Sequence, residues 1–242
     1  MIRLLLLLWV FAIEAAPPEL APYLIPEDHP IKERLDAFFG RKRVSFHENS
    51  LKEAGFSNYT PREFTRLIVA KHPEFPGYIF KIYLDVQRYY HSRPEWYFWV
   101  MRVRGANLIR KEVEEKGWQH LFKVPQKWIY VLPSSPKAKK GYLAKETILV
   151  EEDMELLDRS ENKAAWKSER VNRNFLVSLY HILHKFELLD CAKIDNIPFA
   201  QDGRVAFVDT QTFYAGYVEW DSLNRHLNRE SRAFWVWLTR QH

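Results

Sequence analysis

Cysteine is almost missing from this 242-residue chain. Cys191 stands alone, so no intrachain disulfide can form and stability has to come from a packed core. Nothing beside it supplies the His and Asn or Asp partners of a nucleophilic thiol, and it reads as a small buried hydrophobe. Glycine is sparse too: the eight glycines are dispersed and none forms a G-x-G-x-x-G phosphate loop. Any phosphate would then rest on other backbone N–H groups or on a helix N-terminus. No apolar run reaches the roughly 20 residues of a comfortable membrane span. Long tracts of one charge are missing as well. Basic residues are scattered apart from Lys137-Ala138-Lys139-Lys140, so no nucleic-acid stripe is evident and no nucleic-acid partner is expected. There is no disordered tract and no collagen-like or coiled-coil repeat.

What remains is an ordinary folded composition, 47% hydrophobic and 15% aromatic. That suffices for one large domain or for two small lobes around a cleft. The net charge of +5 reads first as a solvated surface, and it also suits anionic ligands such as nucleotides or acidic partners. At the N-terminus Arg3 precedes Leu4 to Ile13, and the small residues Ala15-Ala16 follow. A positive start, a short apolar run and small residues at its end form the pattern of a secretory signal peptide over residues 1–16, with an uncleaved anchor as the rival. Export or secretion is the expectation, with no stable span after cleavage.

The most informative stretch runs from Lys193-Ile194-Asp195-Asn196 through Asp202-Gly203 to Phe207-Val208-Asp209. Two apolar runs flank a polar turn, which reads as a hairpin with Asp202-Gly203 at its tip. Asn196 and Asp209, thirteen residues apart, sit at its two bases. An amide oxygen and a carboxylate converging there are ligands of the kind Mg²⁺ takes, with phosphates and water supplying the rest.

This hairpin resembles the metal-binding hairpin of the protein kinase-like superfamily, which includes protein kinases and smaller sugar and antibiotic phosphotransferases. Lys193-Ile194-Asp195-Asn196 is similar to the end of the catalytic loop, and Phe207-Val208-Asp209 to the strand entering the second metal-binding Asp, with Thr210-Gln211 in place of Phe-Gly. The resemblance implies an α+β, two-lobed kinase-like fold with a short C-terminal lobe. The N-terminal lobe would occupy residues 17–150 and the C-terminal lobe residues 151–242. It implies ATP and Mg²⁺ as cofactors, with Asn196 and Asp209 as metal ligands.

The remaining segments supply candidates for the other parts of such a site. Gly77 to Leu84 is strand-like, and alternation places Lys81 on a face with Ile79; in the family, this strand's Lys contacts nucleotide phosphates. A helix starts near Ser92, Pro94 and Glu95 at capping-box spacing and runs to Gly117, with Gly105 as a point of division. The family needs a helical Glu to orient the strand Lys, and Glu112 is the candidate, with Glu115 as the alternative. Strands are expected over Lys127–Leu132 and Glu146–Glu151. The following stretch, Glu151, Glu152, Asp153 and Met154, would be the hinge whose main chain meets the adenine edge. Asn174–Glu187 reads as a helix. His181 and His184 on it lie three apart without a third metal ligand in register, which points to a structural pair. Further helices are expected over Thr60–Ala70 and Asp221–Leu238.

Departures from the pattern bear on function. Besides the missing Gly-rich loop, the catalytic Asp of the family, five residues before the Asn, is here Cys191, and Asp190 is a base displaced by one residue. Only 33 residues follow Asp209, too few for the lower lobe of a full protein kinase. Two functions follow from the resemblance: an exported ATP/Mg²⁺-dependent phosphotransferase acting on a hydroxyl acceptor, or an inactive pseudokinase serving as a secreted protein-interaction module. Partners would be the nucleotide and an unidentified acceptor or protein.

Overall fold

The computed structural model describes residues 17–58, 67–85 and 93–240. Its elements are α1 (Lys32–Arg41), α2 (Glu48–Glu53), β1 (Ser57–Asn58), β2 (Leu67–Lys71), β3 (Tyr78–Tyr83), α3 (Glu95–Glu115), β4 (Phe122–Lys123), β5 (Lys127–Val131), β6 (Thr147–Glu152), α4 (Arg159–Trp166), α5 (Arg173–Lys185), β7 (Val205–Ala206) and α6 (Arg229–Thr239). The fold is mixed α+β. Five strands form one sheet in the order β1-β2-β3-β6-β5, each neighbouring pair antiparallel, and β4 pairs with β7 in parallel.

Strand alternation sorts the side chains of this sheet between two different coverings. Phe80 and Ile82 of β3, Ile148 and Val150 of β6 and Tyr130 of β5 pack with Leu35 and Phe39 of α1 and Leu51 of α2. On the opposite face Ile129 and Leu149 pack with Leu20 and with Trp99 and Val103 of α3. Lys81, Lys127 and Glu151 are in phase with this second set, so three charged side chains turn toward α3. All three are buried.

α3 is one uninterrupted helix of 21 residues. Gly105 does not divide it. A Cβ there would lie 1.8 Å from the Thr210 carbonyl oxygen, so the glycine lets the helix backbone press against the segment after Asp209. Gly117, at φ +69, ends the helix as expected.

The second half of the chain has its own apolar cluster. Phe175, Leu176, Leu179, Ile182 and Leu183 of α5 meet Trp166, Ile197, Phe199, Phe207 and Trp235. Each such large apolar side chain contributes about 1.5–3 kcal/mol when fully buried. The hairpin lies against this cluster. Its arms are joined by Ala206 N–H to Pro198 O (2.8 Å) and Ala200 N–H to Arg204 O (2.8 Å), with Gly203 in the left-handed conformation at the tip. Asn162 of α4 braces it, donating to Ile194 O at 3.2 Å and accepting from Phe199 N–H at 2.9 Å.

Two further expectations change. Leu67–Lys71 is a strand rather than the end of a helix begun at Thr60: a five-residue run with Ile68 and Val69 completes the sheet. Residues 60–66 of that expectation lie outside the described residues, as do Ser92 of the helix start and the expected signal segment 1–16. The C-terminal helix begins at Arg229 rather than Asp221, because Asn228 caps it by accepting the Ser231 N–H, and short 3₁₀ turns fill the interval. Among the described residues no helix is long and apolar enough to cross a membrane.

Candidate functional site

Cross-strand register assembles the site. Lys127 of β5 stands directly opposite Glu151 of β6, while Lys81 of β3 lies opposite Leu149 and so reaches Glu151 diagonally. Glu151 therefore bridges two lysines: Lys81 Nζ is 3.0 Å from Oε1 and Lys127 Nζ is 3.2 Å from Oε2. Both lysines also donate to the same main-chain acceptor, the Val208 carbonyl, at 2.9 and 2.8 Å. The hairpin's second arm is thus held by two ammonium groups one residue before Asp209.

α3 closes the cluster from the other side. Arg102, one turn after Trp99 and only 4% exposed, brings Nε to 3.4 Å from Asp209 Oδ1, and its guanidinium lies over the Trp99 ring. Thr210 Oγ1 donates to the Arg102 carbonyl at 2.7 Å, one of the contacts made possible by the close approach at Gly105. Thr210 is therefore docked onto the helix through a buried hydroxyl.

Three cations face two carboxylates, which leaves one formal positive charge. Burial lowers the Lys127 ammonium to about 8, against the opposing pull of Glu151. Burial pushes the Asp209 carboxyl up, but the charges of Arg102, Lys81 and Lys127 outweigh it and hold the group below its ordinary value. Hydrogen bonding is incomplete. Arg102 Nε and Nη1, Asp209 Oδ1 and Glu151 Oε2 are all buried without a hydrogen-bond partner among the described residues. Such groups are costly to leave unpaired.

The loop before the hairpin is compact. Asn196 Nδ2 donates to the Asp190 carbonyl at 2.9 Å, and the Asn196 carbonyl accepts from Val208 N–H at 3.0 Å, so the two bases of the hairpin do converge. Cys191 is fully buried; its thiol donates to the Asp209 carbonyl at 3.1 Å and burial raises it well above the usual thiol range. The Asp190 carboxylate stays half-buried and accepts a hydrogen bond from the Thr212 hydroxyl.

The remaining candidates are placed elsewhere. Glu112 does not orient Lys81. It lies at the far end of α3, where Oε1 meets His181 Nε2 at 2.7 Å and Oε2 pairs with Lys185, so it ties α3 to α5. Burial opposes its ionisation, but Lys185 and His181 keep its carboxyl below the ordinary value. His181 is therefore a partner of Glu112. Glu151 belongs to the strand, and its side chain enters the charge cluster. The Glu152 and Asp153 N–H groups are taken by Gln126 O (3.0 Å) and Gly77 O (2.8 Å), and the Met154 carbonyl accepts from Lys123 Nζ at 3.3 Å. These three main-chain groups are occupied within the protein.

Lys127, Glu151 as a charged side chain, and Arg102 were the members missed by sequence reasoning. A signal for each of them existed. Once β5 and β6 are read as strands with apolar alternation, Lys127 and Glu151 are charges on an inward-facing row. Arg102 follows Trp99 by three residues on the apolar stripe of α3. Compared with known proteins, the chain matches no family model and no curated protein.

Proposed function

We propose that this chain is an exported protein with a two-lobed kinase-like fold that binds a nucleoside triphosphate, ATP in the first instance, between its sheet and the Asn196–Asp209 hairpin. The observation that carries the reading is Lys81 on the third strand donating to the Val208 carbonyl, 127 positions away, which sets a buried ammonium beside Asp209. The strand order, the helix inserted between β3 and β5, and the hairpin after α5 are the arrangement such a fold needs, and they support the same reading. Lys81 and Lys127 neutralise phosphate charge, as sites for phosphoryl groups work by positioning and electrostatics. Glu151 takes the orienting role for which the family uses a helical Glu.

Two functions fit this site. As a phosphotransferase it uses Asp190 to orient the hydroxyl of an acceptor, a role favoured by the half-buried carboxylate that Thr212 holds in place. As an inactive interaction module it uses nucleotide only to order the fold, a role favoured by the buried Cys191 where the base belongs and by the Arg102–Asp209 pair. The geometry favours the second.

Titration of ATP into wild type and Lys81→Met tests the binding reading: at least tenfold weaker binding in the variant is expected, and equal binding sinks it. Release of γ-phosphate to any hydroxyl acceptor, abolished by Asp190→Ala in a folded protein, would restore the phosphotransferase.

A further inference from the structure

Around Asp209 the charges are arranged for an anion rather than for a divalent metal. The carboxylate is faced by Arg102, Lys81 and Lys127. Its buried Oδ1 has a guanidinium nitrogen 3.4 Å away and makes no hydrogen bond among the described residues. Mg²⁺ requires near-octahedral oxygen ligation and usually retains several waters. At Oδ1 it would have to share that oxygen's surroundings with a permanent cation, since Arg does not lose its proton in proteins.

Nor is Arg102 free to leave. The side chain is buried against Trp99, its carbonyl accepts the Thr210 hydroxyl, and one turn further on Gly105 lies against the Thr210 carbonyl. Asp209 and Arg102 are therefore fixed relative to one another by the two chain segments that carry them. The surrounding of Oδ1 does not fit Mg²⁺, and the 29% of the Asp209 side chain that is exposed lies outside that buried atom.

We propose that Arg102 is a built-in cation in the place where a kinase-like site would use a metal, so that the polyphosphate of the nucleotide is held without any divalent ion. A guanidinium offers planar N–H donors suited to phosphate oxygens. Two of those donors, Nε and Nη1, are buried and have no acceptor among the described residues, and the site carries one excess positive charge for the ligand to neutralise. This rests on the nucleotide reading above and adds to it the source of the counter-charge.

The test is titration of the full chain with ATP and, separately, with inorganic tripolyphosphate, in EDTA and in Mg²⁺. Wild type should bind ATP with Kd values within about threefold in the two conditions. Arg102→Met should lose at least tenfold in EDTA and recover in Mg²⁺, because Asp209 is then open to the metal; Arg102→Lys, checked for folding by circular dichroism, should retain part of the EDTA affinity. A wild type that needs Mg²⁺, with binding tenfold or more weaker in EDTA, overturns the proposal, as does undiminished EDTA binding by both Arg102 variants. Tripolyphosphate bound in EDTA without ATP binding would retain the metal-free anion site and reject the nucleotide. If neither ligand binds, both readings fall.

Discussion

Glu112 and Glu151 are both nearly inaccessible carboxylates, and each bridges two basic side chains. Their surroundings differ. The partners of Glu112, His181 and Lys185, have side chains 39% and 44% exposed, so water shares in their solvation. The partners of Glu151, Lys81 and Lys127, are 7% and 0% exposed. The first arrangement is a tie between α3 and α5 that solvent screens. The second keeps three charges out of water, which costs stability unless the geometry is excellent and the remaining polar atoms are satisfied. Glu151 Oε2 still lacks a hydrogen bond. A buried charge set that is not fully satisfied by its own chain is where a ligand would be worth most, and this distinguishes a site from a brace.

Breaking the Glu151 bridge should have the largest effect. Glu151→Ala leaves two buried ammonium groups without their carboxylate, and a loss of about 3–5 kcal/mol is expected in urea unfolding. A loss no larger than that of an exposed pair would show that the lysines reach water.

The next effect sharpens the comparison through pH. Lys127 holds its proton to about 10.5 when unfolded but only to about 8 when folded. Between those values the unfolded chain binds more protons, so stability rises with pH. A fall from 10.5 to about 8 corresponds to about 3 kcal/mol. Unfolding of wild type compared with Lys127→Met across pH 8 to 10.5 should show that rise in wild type alone. Anion affinity should fall over the same approach to alkaline pH, as Lys127 loses its charge beside Lys81, Glu151, Asp209 and Arg102.

Glu112 should give the smallest change. Its folded carboxyl lies below the ordinary 4.5, so its contribution is complete above that value and disappears as pH falls through the folded one. Glu112→Gln should therefore destabilise at neutral pH, by less than Glu151→Ala, and the gap to wild type should close in acid. ATP binding should be unchanged, whereas a loss of binding would return Glu112 to the site.

These differences also explain what could be read in advance. The hairpin was legible because its turn and its alternation are local: Asp202-Gly203 sets the tip and the apolar runs set the arms. Lys81 stood out for the same reason, as a charge on an apolar strand. The partner of Lys81 was not legible, because Glu151 is 70 positions away and reaches it through the register of β3 with β6. The resemblance pointed to a helix for that carboxylate, with Glu112 as the candidate and Glu115 as the alternative. The helix expected at Thr60–Ala70 was misread past residue 66 because its capping signal is local, while pairing with β1 and β3 makes Leu67–Lys71 a strand. Gly105 looked like a helix break because a sequence cannot show what backbone approaches it.

The central claim is that the buried cations beside Asp209 bind the phosphates of a nucleotide, and thermal unfolding with saturating ATP tests it most directly. Ligand at 100 times its Kd adds about 2.7 kcal/mol, and in a domain of this size each kcal/mol raises the midpoint by roughly 2–4 °C. The account predicts a rise of roughly 5–10 °C for wild type, with none for the Lys81→Met, Lys127→Met double variant. An unchanged wild-type midpoint, or an equal rise in the double variant, would contradict it.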